Sequence, residues 1–178
     1  MSKVNIVLFE PEIPQNTGNI MRTCVGFGLK LHLIRPFGFH LTDKNLMRSA
    51  VDYYQYVDYE CYDDWEDFIE KNPNIKLFYL TRYGHKQITD FDFKSIDEDI
   101  YLVFGKESTG IPYDILADNI ESCFRIPSTG KIRAFNVSNC VAMVSHEVMR
   151  QLDFVGLEKE EPDNLKGHDF LDKWKEGK

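Results

Sequence analysis

The sequence predicts an α/β protein with a mostly parallel sheet that carries helices on both faces. Short and nearly continuous apolar runs at 4–9, 75–81 and 100–104 are typical of strands that are covered on both sides. Segments with helical spacing of apolar residues separate these runs, and such an alternation favours a parallel sheet. A chain of 178 residues is long enough for one domain with a sizeable core.

The first half of the chain is predicted to alternate between three strands and three helices. In chain order these are strand 4–9, a helix that follows the two-proline loop 10–19 and stops at Gly26 or Gly28, strand 31–34, a short helix from Thr42 or Asp43 to 51, strand 56–60, and a helix from Asp63 or Asp64 that ends before Pro73. We expect the first helix to place Ile20, Cys24 and Phe27 on its apolar side. The third helix should place Trp65, Phe68 and Ile69 on one side.

The second half continues the pattern with strands 75–81, 100–104 and 123–126, and with a short helix at 113–118. A longer helix begins near Asn136, Ser138 and Asn139, whose short polar side chains can cap its unpaired amide groups. Its buried side is predicted from helical spacing to contain Val137, Cys140, Val141, Met143, Val144, Val148 and Leu152. We expect residues 1–155 to form a single domain. Residues 156–178 are expected to form a charged, mobile extension in which Phe170, Leu171 and Trp174 form a docking helix.

Composition and charge exclude several classes of protein. The sequence has no apolar run of membrane-spanning length and no signal-peptide pattern, so we expect a cytoplasmic protein that does not contact membranes. Its four cysteines are far apart and form no C-x-x-C pair, which predicts reduced thiols and no metal site. A net charge of −8 argues against broad, non-specific nucleic-acid binding. It is compatible either with scattered charges or with a local basic face made of Arg22, Lys30, Arg35, Lys44, Arg48, Lys131 and Arg133.

Three polar loops, 10–22, 105–112 and 127–139, each follow an apolar strand directly. Parallel strands bring their carboxyl ends to one edge of a sheet, so we expect these loops to converge on a ligand site there. Gly105 and Gly110 have the spacing of a phosphate loop, but Lys-Ser/Thr is missing after the second glycine, which argues against a nucleotide triphosphatase. The carboxylate of Glu107, between the two glycines, is a candidate ligand contact.

Further candidates come from the first loop and from the histidines. Asn16 and Asn19 are predicted to bracket a helix start, and Arg22 stands one turn beyond Gly18. An arginine there can hold a phosphate in a bidentate grip, although a helix cap followed by a surface arginine is an equal alternative. His32 and His146 fall on apolar elements and are predicted to be packed rather than to act as bases.

Three motifs occur in order along the chain: PEIPQNTGNIMRTC at 11–24, FGKESTGIP at 104–112 and RIPSTGKIRAFNVSNCVA at 125–142. Together with RSAVDY at 48–53 they resemble the signature motifs of the SpoU branch of the SPOUT methyltransferases, over roughly 4–152. Within that branch the chain is similar to the small tRNA wobble-position 2′-O-methyltransferases, which consist of the catalytic domain alone. The resemblance implies a deep trefoil knot near the carboxyl terminus, a feature that composition and periodicity do not reveal.

The resemblance also implies a cofactor, S-adenosylmethionine, held in the knot largely by main-chain groups of Leu80, Gly105, Ile126 and Ala134. Relatives often carry serine in place of Ala134, so a main-chain contact should survive here while a hydroxyl contact is lost. A homodimer is implied as well, in which Arg22 of one subunit lies near the cofactor of the other. Relatives often carry tyrosine in place of His146, whose part in dimer packing or RNA binding therefore stays open.

The reaction that the resemblance implies is methyl transfer to the ribose 2′-hydroxyl of the wobble cytidine or uridine in the anticodon stem-loop of tRNA. The family assigns removal of the hydroxyl proton to the residue at Arg22. Because a guanidinium is a very poor base in proteins, we expect this side chain to position and stabilise charge instead. Asn16, Glu107, Ser138 and Asn139 would orient the ribose, the cofactor or Arg22.

Two other functions stay open at this stage. The first is a non-catalytic RNA-binding module with the same fold, which the intact set Asn16, Arg22, Glu107 and Asn139 argues against. The second is a ribosomal RNA 2′-O-methyltransferase of the same branch. Such relatives usually carry an additional amino-terminal RNA-binding domain, whereas the first strand here is predicted to begin at Val4.

Overall fold

A sheet of seven parallel strands forms the centre of the computed structural model, which describes residues 4–176. The strands are β1 (Val4–Phe9), β2 (Lys30–Ile34), β3 (Tyr59–Tyr62), β4 (Lys76–Leu80), β5 (Lys86–Gln87), β6 (Ile100–Phe104) and β7 (Cys123–Arg125). Their order across the sheet is β3-β2-β1-β6-β4-β7-β5. Every neighbouring pair is parallel, which confirms the predicted architecture.

Helices cover both faces of this sheet. They are α1 (Pro14–Phe27), α2 (Lys44–Ala50), α3 (Trp65–Lys71), α4 (Tyr113–Asp118), α5 (Val137–Gln151) and α6 (Phe170–Glu176). The helix α1 ends at Gly28, which adopts a left-handed φ of 64° as a helix-terminating glycine should. The helix α3 begins after Asp64, whose side chain accepts a hydrogen bond from the Asp67 amide and caps the first turn.

The strand β1 shows how the two layers are built. Its side chains alternate between the faces of the sheet, as the pleat requires. Val4, Ile6 and Leu8 join the larger core beneath α1, α2 and α5. Val7 and Phe9 join the second core beneath α3 and α4. Because β1 is buried on both faces, its sequence is continuously apolar rather than alternating.

Several local predictions were wrong. The strand placed at 56–60 begins only at Tyr59, because the preceding residues form a 3₁₀ helix, Val51–Tyr56. Asn16 and Asn19 do not bracket a helix start, since α1 already begins at Pro14. Met143 was expected on the buried side of α5 but is 42% exposed.

The chain beyond α5 continues to contact the core before it reaches α6. Leu157 packs against the larger core, and the backbone then runs through turns to α6, where a helix was predicted. Leu171 and Trp174 on this helix are 70% and 53% exposed, so its docking function stays a prediction. Within the described part of the chain, no helix has the length and apolar character needed to cross a membrane.

The strand order places the predicted loops side by side. The strands β1, β6, β4 and β7 are consecutive in the sheet. Their carboxyl-terminal ends are in register to within one residue: Leu8 pairs with Phe104, and Leu80 pairs with Phe124. The chain therefore leaves all four strands at one edge, and the loops that follow β1, β6 and β7 converge there as predicted.

Candidate active site

A cavity of about 770 Å³ opens at the carboxyl ends of the central strands. It is bounded by the loops that follow β1, β4, β6 and β7. Six residues that the sequence singled out line it: Asn16, Leu80, Gly105, Glu107, Ile126 and Ala134. The inner wall is apolar, with contributions from Phe104, Ile111 and Leu116, whereas the mouth is polar. Such a combination is typical of a pocket for a small organic ligand.

Gly105 is the point where β6 turns into the cavity wall. A Cβ atom at this position would lie 2.3 Å from the carbonyl carbon of Gly110 and 2.4 Å from the amide nitrogen of Ile111. No side chain fits in that space, so the backbone of the 105–110 loop can fold back on itself only with glycine here. Gly110 itself has a φ of 80°, which again favours glycine. The two glycines therefore shape the cavity rather than forming a phosphate loop.

The carboxylate of Glu107 joins the second loop to the first. Its Oε1 accepts a hydrogen bond of 2.9 Å from Asn16 Nδ2, and its Oε2 accepts one of 2.9 Å from the backbone amide of Glu12. Asn16 is only 7% exposed, and its side chain lies in the first turn of α1. Its Oδ1 accepts a hydrogen bond of 2.9 Å from Nδ2 of Asn136, which reaches across from the third loop. We call Asn16, Glu107 and Asn136 the loop joint.

Asn136 is the residue of the loop joint that sequence reasoning did not place in the site. Its Oδ1 caps α5 by accepting hydrogen bonds from Ser138 N at 2.9 Å, Ser138 Oγ at 2.6 Å and Asn139 N at 3.4 Å. The sequence signalled only this capping role. Ser138 and Asn139 are absent from the described lining of the cavity. They fix the amide of Asn136, which lines the cavity and meets Asn16.

Two further contacts fasten the first loop to the second. The carboxylate of Glu12 accepts hydrogen bonds from Ser108 N at 2.7 Å and from Ser108 Oγ at 2.8 Å. Lys106 forms an ion pair with Glu10, and both side chains are mostly shielded from solvent. The two loops thus meet through four side chains in addition to the loop joint, which restrains the cavity wall that they share.

The mouth of the cavity carries two arginines and two tyrosines that were not predicted as site residues. Arg82 and Tyr83 follow β4, Tyr113 begins α4, and Arg133 stands in the third loop and donates a hydrogen bond to the carbonyl of Ser108. The turn after β4 was not among the loops that the sequence predicted to form the site. Tyr113 gave no signal beyond that of a helix start.

The proposed basic face is not a single surface. Arg133 lies at the cavity mouth, whereas Lys30 and Arg35 pair with Glu60 at 2.8 Å and Asp63 at 2.9 Å beside β3. These exposed pairs contribute little to stability and neutralise part of the positive charge.

One potential nucleophile, Cys140, faces the cavity from α5. Burial raises the pKa of this thiol to about 11. It therefore stays protonated near neutral pH and does not compete for an electrophilic ligand, since the thiolate is the reactive form. All four cysteines are free thiols, and among residues 4–176 no group of three or more His, Cys, Asp or Glu is arranged to hold a metal ion.

Arg22 and His146 lie outside the described lining of the cavity. Arg22 is exposed on α1, and its guanidinium carbon stands 5.2 Å from the centre of the Tyr53 ring. The ring of His146 lies beside Phe27 and Phe154, with centroid distances of 6.5 Å and 5.4 Å. His146 contacts these aromatic rings but is exposed on α5, so the prediction of a packed histidine is confirmed only in part.

Comparison with known proteins relates this geometry to a family. The sequence profile of the SpoU rRNA methylase family matches residues 3–146. A tRNA (cytidine(34)-2′-O)-methyltransferase of Saccharophagus degradans is 42% identical over 153 residues, which cover 85% of this chain and 97% of that protein.

Two solved structures extend the comparison. One comes from work on the 2′-OH methylation of C/U34 on tRNA and matches with a TM-score of 0.78 at 36% identity. The match covers 84% of this chain and 96% of that chain. The other is an AdoMet-bound rRNA methyltransferase from Sinorhizobium meliloti, with a TM-score of 0.74 at 22% identity, covering 84% of this chain and 56% of its own. The second likeness extends to the fold alone.

Proposed function

Because the chain belongs to the SpoU methylase family, we propose that it transfers a methyl group to the ribose 2′-hydroxyl of the wobble nucleotide, cytidine or uridine, in the anticodon stem-loop of tRNA. The observation that carries the proposal is the loop joint, in which one residue from each of three family motifs meets at a single cavity. The tRNA methyltransferase that the chain matches over nearly its whole length supports this choice of substrate.

S-adenosylmethionine is the cofactor that the family implies, and the cavity fits it. A volume of about 770 Å³ falls within the range of small-molecule pockets, and the wall combines an apolar floor with polar groups at the mouth. Leu80, Gly105, Ile126 and Ala134 all line the cavity, so their main-chain groups would hold the cofactor there. Lack of a Cβ atom at Gly105 leaves its backbone open to close approach. When bound, the cofactor supplies an electrophilic methyl group on a sulfonium.

The residues of the chain act mainly by orientation. Holding the attacking oxygen in line with the methyl group converts the encounter of two ligands into a step with a preset geometry. Asn16 and Asn136 each keep one Nδ2 hydrogen that the loop joint does not use, and these hydrogens can be donated to a ribose at the cavity wall. The carboxylate of Glu107 holds Asn16 in place. Arg22 stabilises the negative charge that develops on the 2′-oxygen as its proton leaves to water or to a phosphate.

A homodimer brings Arg22 to the site in this proposal. Arg22 lies outside the cavity of its own subunit, so a second subunit would contribute it. Exposed apolar side chains near the cavity and on α5 support such an interface: Ile13, Phe135 and Met143 are 42%, 38% and 42% exposed. Mixing inactive Arg22→Ala subunits with inactive Asn136→Ala subunits should restore activity, because a mixed dimer contains one intact site. If the mixture stays inactive although mixed dimers form, the shared site is wrong.

A trefoil knot would enclose the cofactor. The backbone after β4 crosses that of β7 very closely, since a Cβ atom on Gly84 would lie 2.6 Å from the carbonyl carbon of Phe124. The amide of Thr81 donates a hydrogen bond of 2.9 Å to the Phe124 carbonyl at the same crossing. We propose that the chain after β7 is threaded at this point.

We also propose that residues 1–155 form the domain and that the charged segment 156–178 extends from it. The protein would act on tRNA in the cytoplasm.

Mass spectrometry of wobble nucleosides tests the substrate directly. tRNA from a deletion strain should lack 2′-O-methylated cytidine or uridine at the wobble position, and the purified protein with S-adenosylmethionine should restore it. Unchanged methylation in the strain would reject the tRNA assignment. Loss of a ribosomal RNA methyl group instead would favour the alternative substrate. Calorimetric titration with S-adenosylmethionine separates the enzyme from a non-catalytic RNA-binding module, which would show no cofactor binding.

A further inference from the structure

Arg82, Tyr83, Tyr113 and Arg133 form what we call the rim cluster, at the mouth of the cavity. The two tyrosine rings meet edge to face, with centroids 5.6 Å apart and planes at 83°. Their hydroxyl oxygens are 3.3 Å apart, close enough for one to donate a hydrogen bond to the other. This pair connects the turn after β4 with the start of α4, two segments that border the same opening.

The rim tyrosines are not required to complete the core. Tyr83 and Tyr113 are 48% and 66% exposed, which is unusual for a pair of large rings in contact. The helix α4 is anchored to the core by Leu116, which is 5% exposed. The turn that carries Tyr83 is held by the hydrogen bond of 3.3 Å from the Tyr83 amide to Thr81 Oγ1. Folding therefore leaves part of each aromatic ring accessible to a ligand.

Two cations accompany these rings. The guanidinium of Arg82 stacks over the Tyr83 ring, with its central carbon 5.0 Å from the ring centre. Arg82 and Arg133 line the same cavity mouth as Tyr113. The hydrogen bond with Tyr83 raises the pKa of the Tyr113 hydroxyl, while the positive charges of the two arginines act to lower it. In a chain with a net charge of −8, the rim cluster is a local positive site that combines cations with aromatic faces.

We propose that the rim cluster binds one unpaired nucleotide of the tRNA anticodon loop beside the nucleotide to be methylated. The base stacks on the ring of Tyr113, against which Tyr83 packs edge to face, and the adjoining phosphate contacts Arg82 and Arg133. This inference rests on the proposed function. Loop nucleotides present unstacked bases, and proteins commonly hold such bases on aromatic side chains. Arginine is well suited to grip a phosphate because its planar fork offers two parallel donors.

The main alternative occupant of the rim is S-adenosylmethionine itself, with the tyrosines closing over it. Charge favours RNA, since the cofactor carries a net positive charge near neutral pH that Arg82 and Arg133 would repel. RNA is a polyanion, which both groups attract. Exposure agrees, because Tyr83 and Tyr113 border the cavity and yet remain 48% and 66% exposed.

Binding of two ligands to the same variants distinguishes these occupants. The probes are S-adenosylmethionine and an anticodon stem-loop hairpin with cytidine or uridine at the wobble position. The double variant Tyr83→Ala/Tyr113→Ala should weaken hairpin binding by about tenfold, the loss expected for one stacked base, while cofactor affinity changes by less than about twofold. Tyr56→Ala is the matched control, because Tyr56 is 67% exposed and does not line the cavity. It should bind both probes as the unaltered protein does.

Hairpins that lack one loop base identify the partner of the tyrosines. At one position beside the wobble nucleotide, removing the base should weaken binding to the unaltered protein by about tenfold and leave binding to the double variant unchanged. Arg82→Gln should make the plot of the logarithm of the hairpin binding constant against the logarithm of the salt concentration less steep by about 1, the change expected when one phosphate contact is lost. Lys71→Gln on α3, where Lys71 pairs with Asp67, should leave the salt dependence unchanged.

Two results would overturn the inference and leave the proposed function intact. One is normal hairpin binding by the double variant when the unaltered protein methylates that hairpin. The other is a loss of cofactor affinity as large as the loss of hairpin affinity, which would assign the tyrosines to the cofactor. Failure of the unaltered protein to bind or methylate any hairpin would overturn the proposed function and this inference together.

Discussion

Two polar clusters in the same molecule differ in how completely their hydrogen bonds are used. One surrounds His32 in the interior of the sheet, where this residue is 1% exposed. The other is the loop joint at the edge of the sheet. In the interior cluster, Nε2 of His32 donates to Asn5 Oδ1 at 3.3 Å, and Nδ1 accepts from the Tyr62 hydroxyl at 2.8 Å. Both ring nitrogens therefore have partners within the protein.

The loop joint keeps part of its capacity for a ligand. Asn136 Nδ2 carries two hydrogens and donates one of them to Asn16, and Asn16 Nδ2 likewise donates one to Glu107. These groups border the cavity, where a ligand can reach them. In the interior cluster the side chains satisfy one another within the core, whereas the cluster at the strand ends keeps hydrogen-bonding groups for the substrate that we propose. Four predictions test this difference, from the largest expected effect to the smallest.

Asn136→Ala should have the largest effect on activity. It removes the link between the first and third loops, so we expect kcat/KM to fall by about a thousandfold. Loss of the helix cap should lower the free energy of unfolding by only about 1 kcal/mol. The matched control is Asp64→Ala, which removes the cap of α3, away from the cavity. If Asp64→Ala lowers activity equally, the loop joint has no special part in catalysis.

Glu107→Gln should reduce kcat by about a hundredfold, because positioning of Asn16 weakens. The carboxylate accepts from both Asn16 and Glu12, whereas an amide has only one accepting oxygen and must turn its own donor towards the other group. Steady-state kinetics should show this loss with little change in the urea midpoint. Glu121→Gln, a change at an exposed carboxylate paired with Lys86, serves as the control. Equal kinetics in both variants would contradict the assignment.

His32→Leu should show the opposite balance. It leaves the Tyr62 hydroxyl and the Asn5 amide without their histidine partner in a buried site, so we expect a loss of about 3 kcal/mol in the free energy of unfolding. Activity per folded molecule should stay within about twofold, because His32 is remote from the strand ends. Urea denaturation and active-site titration measure the two quantities. A folded variant with little activity would remove the distinction between the clusters.

The smallest effect concerns pH. Burial, aided by the positive charge of Lys30, lowers the pKa of His32 from 6.5 to about 4. As the pH falls, His32 is protonated in the unfolded chain before it is protonated in the folded protein. The contribution of neutral His32 to the free energy of unfolding is therefore complete above about pH 6.5 and is lost as the pH falls towards about 4. From about pH 7.5 to about pH 5, the protein should lose about 2 kcal/mol more stability than His32→Leu does.

The control for this titration is His85→Gln, since His85 is exposed. That variant should lose stability with falling pH in parallel with the unaltered protein. An identical pH dependence in His32→Leu and the unaltered protein would show that His32 does not supply the difference.

Local patterns were sufficient for the longer strands and helices and for the region of the site, but not for the start of β3 or for the short strand β5. Runs such as Ile100–Phe104 are apolar because both faces of the sheet are covered. They could therefore be predicted as strands without knowledge of any tertiary contact. Strand polarity then predicted that three loops meet at one edge, because parallel strands end together. The three motifs also indicated the family, which the profile match confirms.

Tertiary structure decided which polar groups meet. The sequence predicted Asn136 only as a helix cap. Its hydrogen-bond partner in the loop joint, Asn16, lies far away in sequence and approaches only when the sheet forms. Tyr113 became part of the rim cluster for the same reason, through Tyr83. Periodicity placed Met143 on the buried side of α5, but the width of the buried face depends on what packs against it. Sequence patterns express local spacing and burial, whereas contacts between distant loops depend on how the strands are ordered in the sheet.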